Sequence, residues 1–275
     1  MRNPDPLRDF DAFDPALLDP MRRARKLDGR RHLTPGSKVV VLGGIGKSFA
    51  AKYGTSGLIS YWKLDEASGT RIDSFGANNL TDNNTVTQAA GKLGSAAQCT
   101  LANLEKLTST SSSLRFASGS FTLALWVYLD TKAAQCGIFS RNDVAGGTEY
   151  QLEYLDSSDR FRFAISDGTN APVAVADNLG SPSTGTWYYI IAWRNVPGDT
   201  VNIQVNDGTL NSATDTTTAD LQDLGTVAIG GYGAFGTLTL DGRADSAAVW
   251  NRVLTAAERS YLYNNGAGRP ILGSE

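Results

Sequence analysis

The sequence predicts an all-β protein, a two-sheet antiparallel sandwich with one short C-terminal helix. Three observations predict this fold. Apolar and polar residues alternate in many short runs, and turn residues separate those runs at regular intervals. Helical signals are confined to one segment near the C-terminus. Glycine is abundant, at 29 of 275 residues, which suits tight turns between strands. About twelve strands are expected in such a chain.

The strongest strand candidate is Phe121–Asp130. Its odd-numbered residues are all large and apolar, and its even-numbered residues include Trp126 and Tyr128. Two largely apolar faces predict a central strand that is covered, or lined by aromatic rings, on its second side. Other strands are expected at Leu58–Leu64, Leu93–Leu101, Gly137–Arg141, Tyr150–Leu155, Arg160–Ile165, Trp187–Trp193 and Val201–Val205. The last two form a predicted hairpin around Pro197–Asp199.

The segment Leu240–Asn264 predicts a strand followed by the short helix. Thr255 precedes an apolar stretch, and Glu258 follows three residues later. This spacing is a capping box, in which each side chain accepts a hydrogen bond from an otherwise unpaired backbone N–H at the start of the helix.

Composition excludes some classes of function. The net charge of −3 and the pI of about 5.3 make nucleic acid an unexpected partner. No stretch approaches the roughly 18 apolar residues of a membrane-spanning helix, so a membrane partner is not expected either. The N-terminus lacks the apolar core of a secretion signal, which predicts a protein made in the cytoplasm without export. Cys99 and Cys136 are too few to form a disulfide framework, and their spacing leaves pairing open.

Residues 1–56, called here the N-terminal arm, are expected to be extended and to end in a Gly-rich hinge. Residues 1–33 carry eight basic and six acidic residues, with four prolines and few apolar residues. The arm is either a solvated tail or a segment that orders against a partner. Gly43–Ser48 lacks the first glycine of a Walker phosphate loop, which argues against nucleotide binding. Docking to a partner would use Phe10, Phe13, Leu17, Arg22, Arg23 and Arg25.

Six short motifs occur in order along the chain: Tyr61–Gly69 with Asp73-Ser74, Gly91–Ala96, Ser120–Val127, Gly185–Tyr188, Val205–Gly208, and Asp245 with Asn251–Glu258. Together they resemble the laminin-G-like branch of the concanavalin A-like lectin and glucanase superfamily. The resemblance covers about residues 58–268 and implies a concanavalin A-like jelly-roll sandwich over residues 57–268, followed by a tail at 269–275. The N-terminal arm has no counterpart in it.

The resemblance also implies a calcium ion bound by Asp73 and Asp245, because related domains often hold Ca²⁺ between the first loop and the last strand. Calcium prefers oxygen ligands, and loop carbonyls would complete the set. The alternative is that both aspartates cap turns by accepting backbone N–H groups.

Catalysis is not expected. Glu149 and Glu153 share a strand face but lack the spacing of a glucanase signature, and they are interpreted as carboxylates on a solvent-facing strand. His32 lies in the arm, so the sandwich holds no histidine for a catalytic triad. Sugar binding would require exposed rings, for which Trp126, Tyr128, Trp187, Tyr189 and Trp193 are candidates. Core packing is the competing role for these rings, and no residue is assigned to a sugar.

These inferences lead to one functional hypothesis. The chain is expected to be a non-enzymatic phage virion protein, a capsid decoration or fibre-like module made in the host cytoplasm. The arm would bind capsid or tail proteins, and the sandwich would be displayed toward host-surface glycans in a symmetric homo-oligomer. The alternative is a carbohydrate-binding or adhesion module of a bacterial glycan-acting system.

Overall fold

The computed structural model describes residues 54–143, 147–223, 225–233, 236 and 238–272. The predicted docking residues of the N-terminal arm, from Phe10 to Arg25, lie outside the described residues. In the described part of the chain, no helix is long and apolar enough to cross a membrane.

Two antiparallel sheets form a sandwich, as the alternating pattern predicts. The first sheet has eight strands. In spatial order it contains β13 (Asn211–Thr214), β12 (Thr200–Val205), β11 (Trp187–Asn195), β6 (Phe121–Leu129), β15 (Gly242–Trp250), β4 (Ser95–Cys99) and β3 (Thr87–Ala90), with β1 (Leu58–Trp62) paired to β15.

The second sheet has seven strands. It contains β10 (Val173–Val175), β9 (Arg160–Ile165), β8 (Thr148–Leu155), β7 (Cys136–Asn142), β14 (Thr226–Ile229), β5 (Lys106–Ser109) and β2 (Thr81–Asn83). The described residues therefore form fifteen strands, more than the twelve expected. The additional strands are short, polar segments such as β2 and β13, which contain no apolar alternation that a sequence pattern could reveal.

The inner faces of the two sheets enclose the main core. On β6 the inward-facing residues include Phe121, Leu123 and Leu125, all fully buried. Phe116 stacks on Phe121 with ring centroids 4.2 Å apart, which extends the core to the loop before β6. Cys99 and Cys136 are buried in this core as free thiols, so they stabilise the protein by packing.

A second apolar cluster lies on the outer face of the eight-stranded sheet. It includes Trp126, Tyr189, Trp193 and Trp250, and α1 (Ala256–Tyr263) and the following chain cover it. This cover explains why β6 is apolar on both faces. Ile271 is also buried in this cluster, and the indole of Trp250 donates to the Gly54 carbonyl at 3.0 Å.

The helix α1 begins at the predicted capping box. The Thr255 hydroxyl accepts from the Glu258 N–H at 3.3 Å, and the Glu258 carboxylate accepts from the Thr255 N–H at 2.8 Å. Glu258 is also bound by the Arg252 guanidinium through two contacts of 2.9 and 2.6 Å. The box therefore fixes the angle at which the helix leaves β15 and folds back over the sheet.

Strand β15 changes neighbours along its length. Gly242–Ala244 pair with β4, whereas Ala247–Trp250 pair with β1. A bulge between Asp245 and Ala248 separates the two halves, and Ser246 has a positive φ of 50° there. Bulges redirect side chains and often lie beside functional sites. The bulge therefore lies between Arg243 and Trp250, the second of which belongs to the covered cluster.

Candidate functional site

Three of the five aromatic residues considered for sugar binding are buried. Trp126, Tyr189 and Trp193 are 2%, 4% and 4% exposed. Tyr263 of α1 stacks on Trp126 with ring centroids 5.9 Å apart, and the Arg259 guanidinium lies 4.4 Å from the Trp193 ring. These rings act as core beneath the helix, which is the competing role that the sequence left open.

The other two rings remain accessible at the uncovered end of the same sheet face. Trp187 and Tyr128 are direct cross-strand partners, and Tyr128 is in turn the partner of Arg243, which pairs with Gln98. All four side chains are only half-buried. Because directly opposite residues project from the same face of a sheet, the four form one continuous line. We call Trp187, Tyr128, Arg243 and Gln98 the aromatic row.

The polar half of the aromatic row is rigidly held. Arg243 lies over the Tyr128 ring at 4.4 Å, and its Nε donates to the Gln98 side-chain oxygen at 2.9 Å. Gln98 Nε2 donates to the Asp130 carboxylate at 2.8 Å, and the same carboxylate lies 3.4 Å from Arg243 Nη2. The guanidinium is therefore stacked and hydrogen-bonded in one orientation, which lowers the entropy lost when a ligand binds.

The aromatic half of the row, Trp187 and Tyr128, carries two polar groups in addition to its ring faces. The Trp187 and Tyr128 rings lie 5.4 Å apart at an angle of 58°, so they form an angled surface. Within the described residues, neither the Trp187 indole N–H nor the Tyr128 hydroxyl has a hydrogen-bond partner. Gly185, at a positive φ of 73°, makes the turn that leads into Trp187. The row thus combines two ring faces with polar groups on one half-buried strip of the sheet.

Asp73 occupies the predicted loop, but the surrounding backbone uses its oxygens. Its Oδ1 accepts N–H groups from Tyr61, Phe75 and Gly76 at 3.0, 3.1 and 2.9 Å, and its Oδ2 accepts from Asn78 at 3.0 Å. Asp73 therefore already accepts four backbone N–H groups. Its contacts match the alternative role, in which the carboxylate holds a turn.

Asp245 lies at the bulge of β15 and holds the turn between β3 and β4. Its Oδ2 accepts from the N–H groups of Lys92 and Leu93 at 2.6 and 2.8 Å. Its Oδ1 is buried without a hydrogen bond among the described residues, with Ser246 beside the carboxylate. Burial raises the pKa of Asp245 to about 6.

The aspartates Asp73 and Asp245 lie on opposite sides of β1, since Trp62 bridges to Asp73 on one side and pairs with Ala247 of β15 on the other. The described residues contain no group of three or more His, Cys, Asp or Glu side chains that could hold a metal ion. Calcium binding at Asp73 and Asp245 stays a prediction. A melting temperature that rises in millimolar CaCl₂ and returns to its original value with chelator would support it, and superimposable melting curves would contradict it.

The raised pKa of Asp245 predicts a pH dependence of stability. An aspartate with a pKa near 3.9 in the unfolded chain and about 6 in the folded protein destabilises the fold when it ionises. We therefore expect the wild-type protein to lose about 2–3 kcal/mol relative to Asp245→Asn as pH rises from 4 to 7. Urea unfolding of both proteins at each pH measures this difference, and a constant or growing wild-type advantage would contradict it.

Glu149 and Glu153 are not on a solvent-facing surface, so that expectation was wrong. Both side chains are fully buried, and each is paired with an arginine. Arg141 Nε lies 2.6 Å from Glu149 Oε2, while Arg162 Nε donates to Glu153, which also accepts from Gln135 and Tyr232. Buried carboxylates require such partners. The strand pattern could not show this, because the arginines come from neighbouring strands.

The family of the chain follows from its fold and from a sequence match. A family model of laminin-G-like domains, described as the concanavalin A-like lectin/glucanases superfamily, matches residues 103–258, more than half of the chain. The chain therefore belongs to this superfamily, as the motif order predicts. No match was found among curated proteins.

Solved structures of similar fold include domains of toxins and a sialidase. The binding domain of Paraclostridial Mosquitocidal Protein 1 is 14% identical with a TM-score of 0.61, over 77% of this chain and 52% of that one. Trypanosoma rangeli sialidase in complex with sialic acid is 17% identical with a TM-score of 0.55, over 78% and 34%. The botulinum neurotoxin serotype D ligand binding domain, in complex with N-acetylneuraminic acid, is 10% identical with a TM-score of 0.58, over 78% and 52%. The chain thus spans about half, or a third, of these proteins, and the likeness shows the fold alone.

Proposed function

We propose that the protein is a non-enzymatic glycan-binding protein that holds a saccharide unit on the aromatic row. The observation that carries this proposal is the line of two accessible rings, one guanidinium and one amide on neighbouring strands. A sugar ring has an apolar C–H face and a rim of hydroxyl groups. The row offers a matching surface for each, since Trp187 and Tyr128 supply ring faces and Arg243 and Gln98 supply planar hydrogen-bonding groups.

The similar structures support this class of ligand. Two of them are described as complexes with sialic acid or N-acetylneuraminic acid, so the fold is compatible with saccharide recognition. A fold alone does not define a function, and the proposal therefore rests on the side chains of the row. The proposal that the protein is not an enzyme is supported by the buried ion pairs of Glu149 and Glu153, which leave neither carboxylate facing solvent.

A glycan array probed with the full chain tests the proposal. We expect at least one class of glycan to bind, and we expect Arg243→Gln to weaken that binding about tenfold, because a charge-assisted hydrogen bond is lost. Arg160→Gln is the matched control, since Arg160 is a half-exposed arginine on the other sheet. An array without any bound glycan, or equal binding by the two variants, would contradict the assignment.

A finer proposal concerns the N-terminal arm. We propose that the protein is a virion component, with the arm docked on capsid or tail proteins through Phe10, Phe13, Leu17, Arg22, Arg23 and Arg25. The support is the composition of the arm, in which isolated apolar anchors alternate with prolines and charges. Deleting residues 1–52 should give a folded protein that is absent from purified particles. Normal incorporation would contradict this proposal and favour the alternative, a carbohydrate-binding module of a bacterial glycan-acting system.

A further inference from the structure

A cavity of about 500 Å³ lies on the outer face of the seven-stranded sheet, across strands β8 and β9. Its volume falls within the roughly 300–1,000 Å³ of small-molecule sites. Its lining combines small side chains, such as Ala164 and Ala171, with polar and a few larger apolar ones. The two sheets pack through their inner faces, so this cavity and the aromatic row lie on opposite sides of the sandwich.

The cavity is rich in hydrogen-bond donors. Arg162 uses its Nε for Glu153, and its two terminal nitrogens have no partner among the described residues. Gln151 accepts from Asn142 through its side-chain oxygen at 3.3 Å, which leaves its Nε2 as an unpaired donor in the described part of the chain. The Gln222 amide lies against Gly168, where a Cβ atom would approach Nε2 to 2.7 Å. Gly168 also has a positive φ of 88°, a backbone conformation that favours glycine.

The buried Glu153 carboxylate orients the guanidinium of Arg162. Both oxygens of Glu153 are occupied, one by Arg162 and the other by Gln135 at 2.7 Å and by the Tyr232 hydroxyl. Glu153 therefore fixes one edge of the guanidinium and leaves the edge with two parallel N–H groups free. That edge matches a carboxylate, which can accept both N–H groups in a planar, bidentate arrangement.

The unpaired hydrogen-bond donors of this cavity favour a ligand that is rich in hydrogen-bond acceptors. No other charged side chain lines the described cavity. The Thr148 hydroxyl donates to Gln151 Oε1 at 3.4 Å, and the Ser166 hydroxyl accepts from the Gly168 N–H at 3.0 Å, so the free donors come from Arg162 and the two glutamine amides. A carboxylate would meet Arg162, while ring hydroxyls would meet the amides and hydroxyls. We propose that this cavity is a second, independent binding site that takes an acidic saccharide unit, with its carboxylate on Arg162 and its hydroxyl groups on Gln151 and Gln222.

Chemical-shift titration of the ¹⁵N-labelled full chain tests this site, with sodium glucuronate as the probe. Glucose has the ring without the carboxylate, and acetate has the carboxylate without the ring. We expect glucuronate to shift amide signals of β8 and β9 and to bind at least tenfold more tightly than either control, because each control loses part of the contacts. Equal binding of glucuronate and glucose, equal binding of glucuronate and acetate, or no shifts in β8 and β9 would overturn the proposal.

Two variants localise the effect without disturbing the ion pair at Glu153. Gln151→Ala and Gln222→Ala should each weaken glucuronate binding about tenfold, whereas the control Arg160→Gln should not. Trp187→Ala, which disrupts the aromatic row, should leave glucuronate binding unchanged, so the two sites can fail separately. Unchanged affinity in both glutamine variants would overturn the proposal, provided that their melting temperatures match the wild type.

Discussion

Replacing Arg141 with alanine is expected to lower the free energy of unfolding by about 3–5 kcal/mol. The Arg141 and Glu149 side chains are 3% and 0% exposed, and their charged groups are 2.6 Å apart. The Phe116 N–H also donates to Glu149 at 2.7 Å. Removing the guanidinium leaves a buried carboxylate with one donor and no counter-charge in contact, which is the most costly type of polar substitution in a core.

The size of this loss should depend on pH. Burial raises the pKa of Glu149 to about 7, and the loss of Arg141 would raise it further. A folded-state pKa above the unfolded value means that stability falls as pH rises, so Arg141→Ala should be impaired more at pH 8 than at pH 5. Urea unfolding at both pH values measures the effect. The control is Arg160→Ala, whose partner Asp177 is exposed and 3.5 Å away, and it should cost less than about 1 kcal/mol. Equal losses in the two variants would contradict the account of the Arg141–Glu149 pair.

The second large effect distinguishes Trp126, which packs in the core, from Trp187, which belongs to the aromatic row on the same sheet face. Trp126→Ala is expected to cost about 3–5 kcal/mol, because this side chain is 2% exposed and packs against both Tyr189 and Tyr263. Gly268 fits closely against it, since a Cβ atom there would lie 3.2 Å from the indole nitrogen. Trp187 contacts Tyr128 at the open end of the sheet, and Trp187→Ala should cost far less stability.

Glycan binding, unlike stability, should depend strongly on Trp187. Trp187→Ala is expected to abolish detectable binding of the glycan found on the array, while Phe75→Ala, which removes an exposed aromatic side chain outside the row, should bind normally. Thermal unfolding and binding are measured on the same protein preparations. A Trp187→Ala variant that keeps full affinity, or a Trp126→Ala variant as stable as the wild type, would show that the roles of these two residues are misassigned.

Local patterns in the sequence predicted much of the fold. The two apolar faces of β6 predicted a central strand whose second side is covered or lined by aromatic rings, and α1 covers that side. Thr255 and Glu258 predicted the capping box, and the hairpin of β11 and β12 forms where alternation and Pro197–Asp199 placed it. These features depend on residues close together in the chain, so a single sequence can reveal them.

The candidate sites depend on pairing between distant strands, which a single sequence does not show. Arg243 and Gln98 gave no signal, because their relation to Tyr128 exists only once β15 lies between β6 and β4. The same applies to Arg162, whose role depends on its position opposite Glu153. Tyr128 and Trp187 are among the five aromatic residues that the sequence offers as candidates for sugar binding. It could not separate them from Trp126, Tyr189 and Trp193, because burial by α1 is decided in three dimensions.

A crystal structure of the full chain, soaked with the glycan that binds most strongly on the array, tests the central claim most directly. We expect electron density for a sugar ring against Trp187 and Tyr128, within hydrogen-bonding distance of Arg243 or Gln98. A sugar bound at the opposite sheet alone, or at any surface that leaves the four side chains of the aromatic row uncontacted, would contradict it.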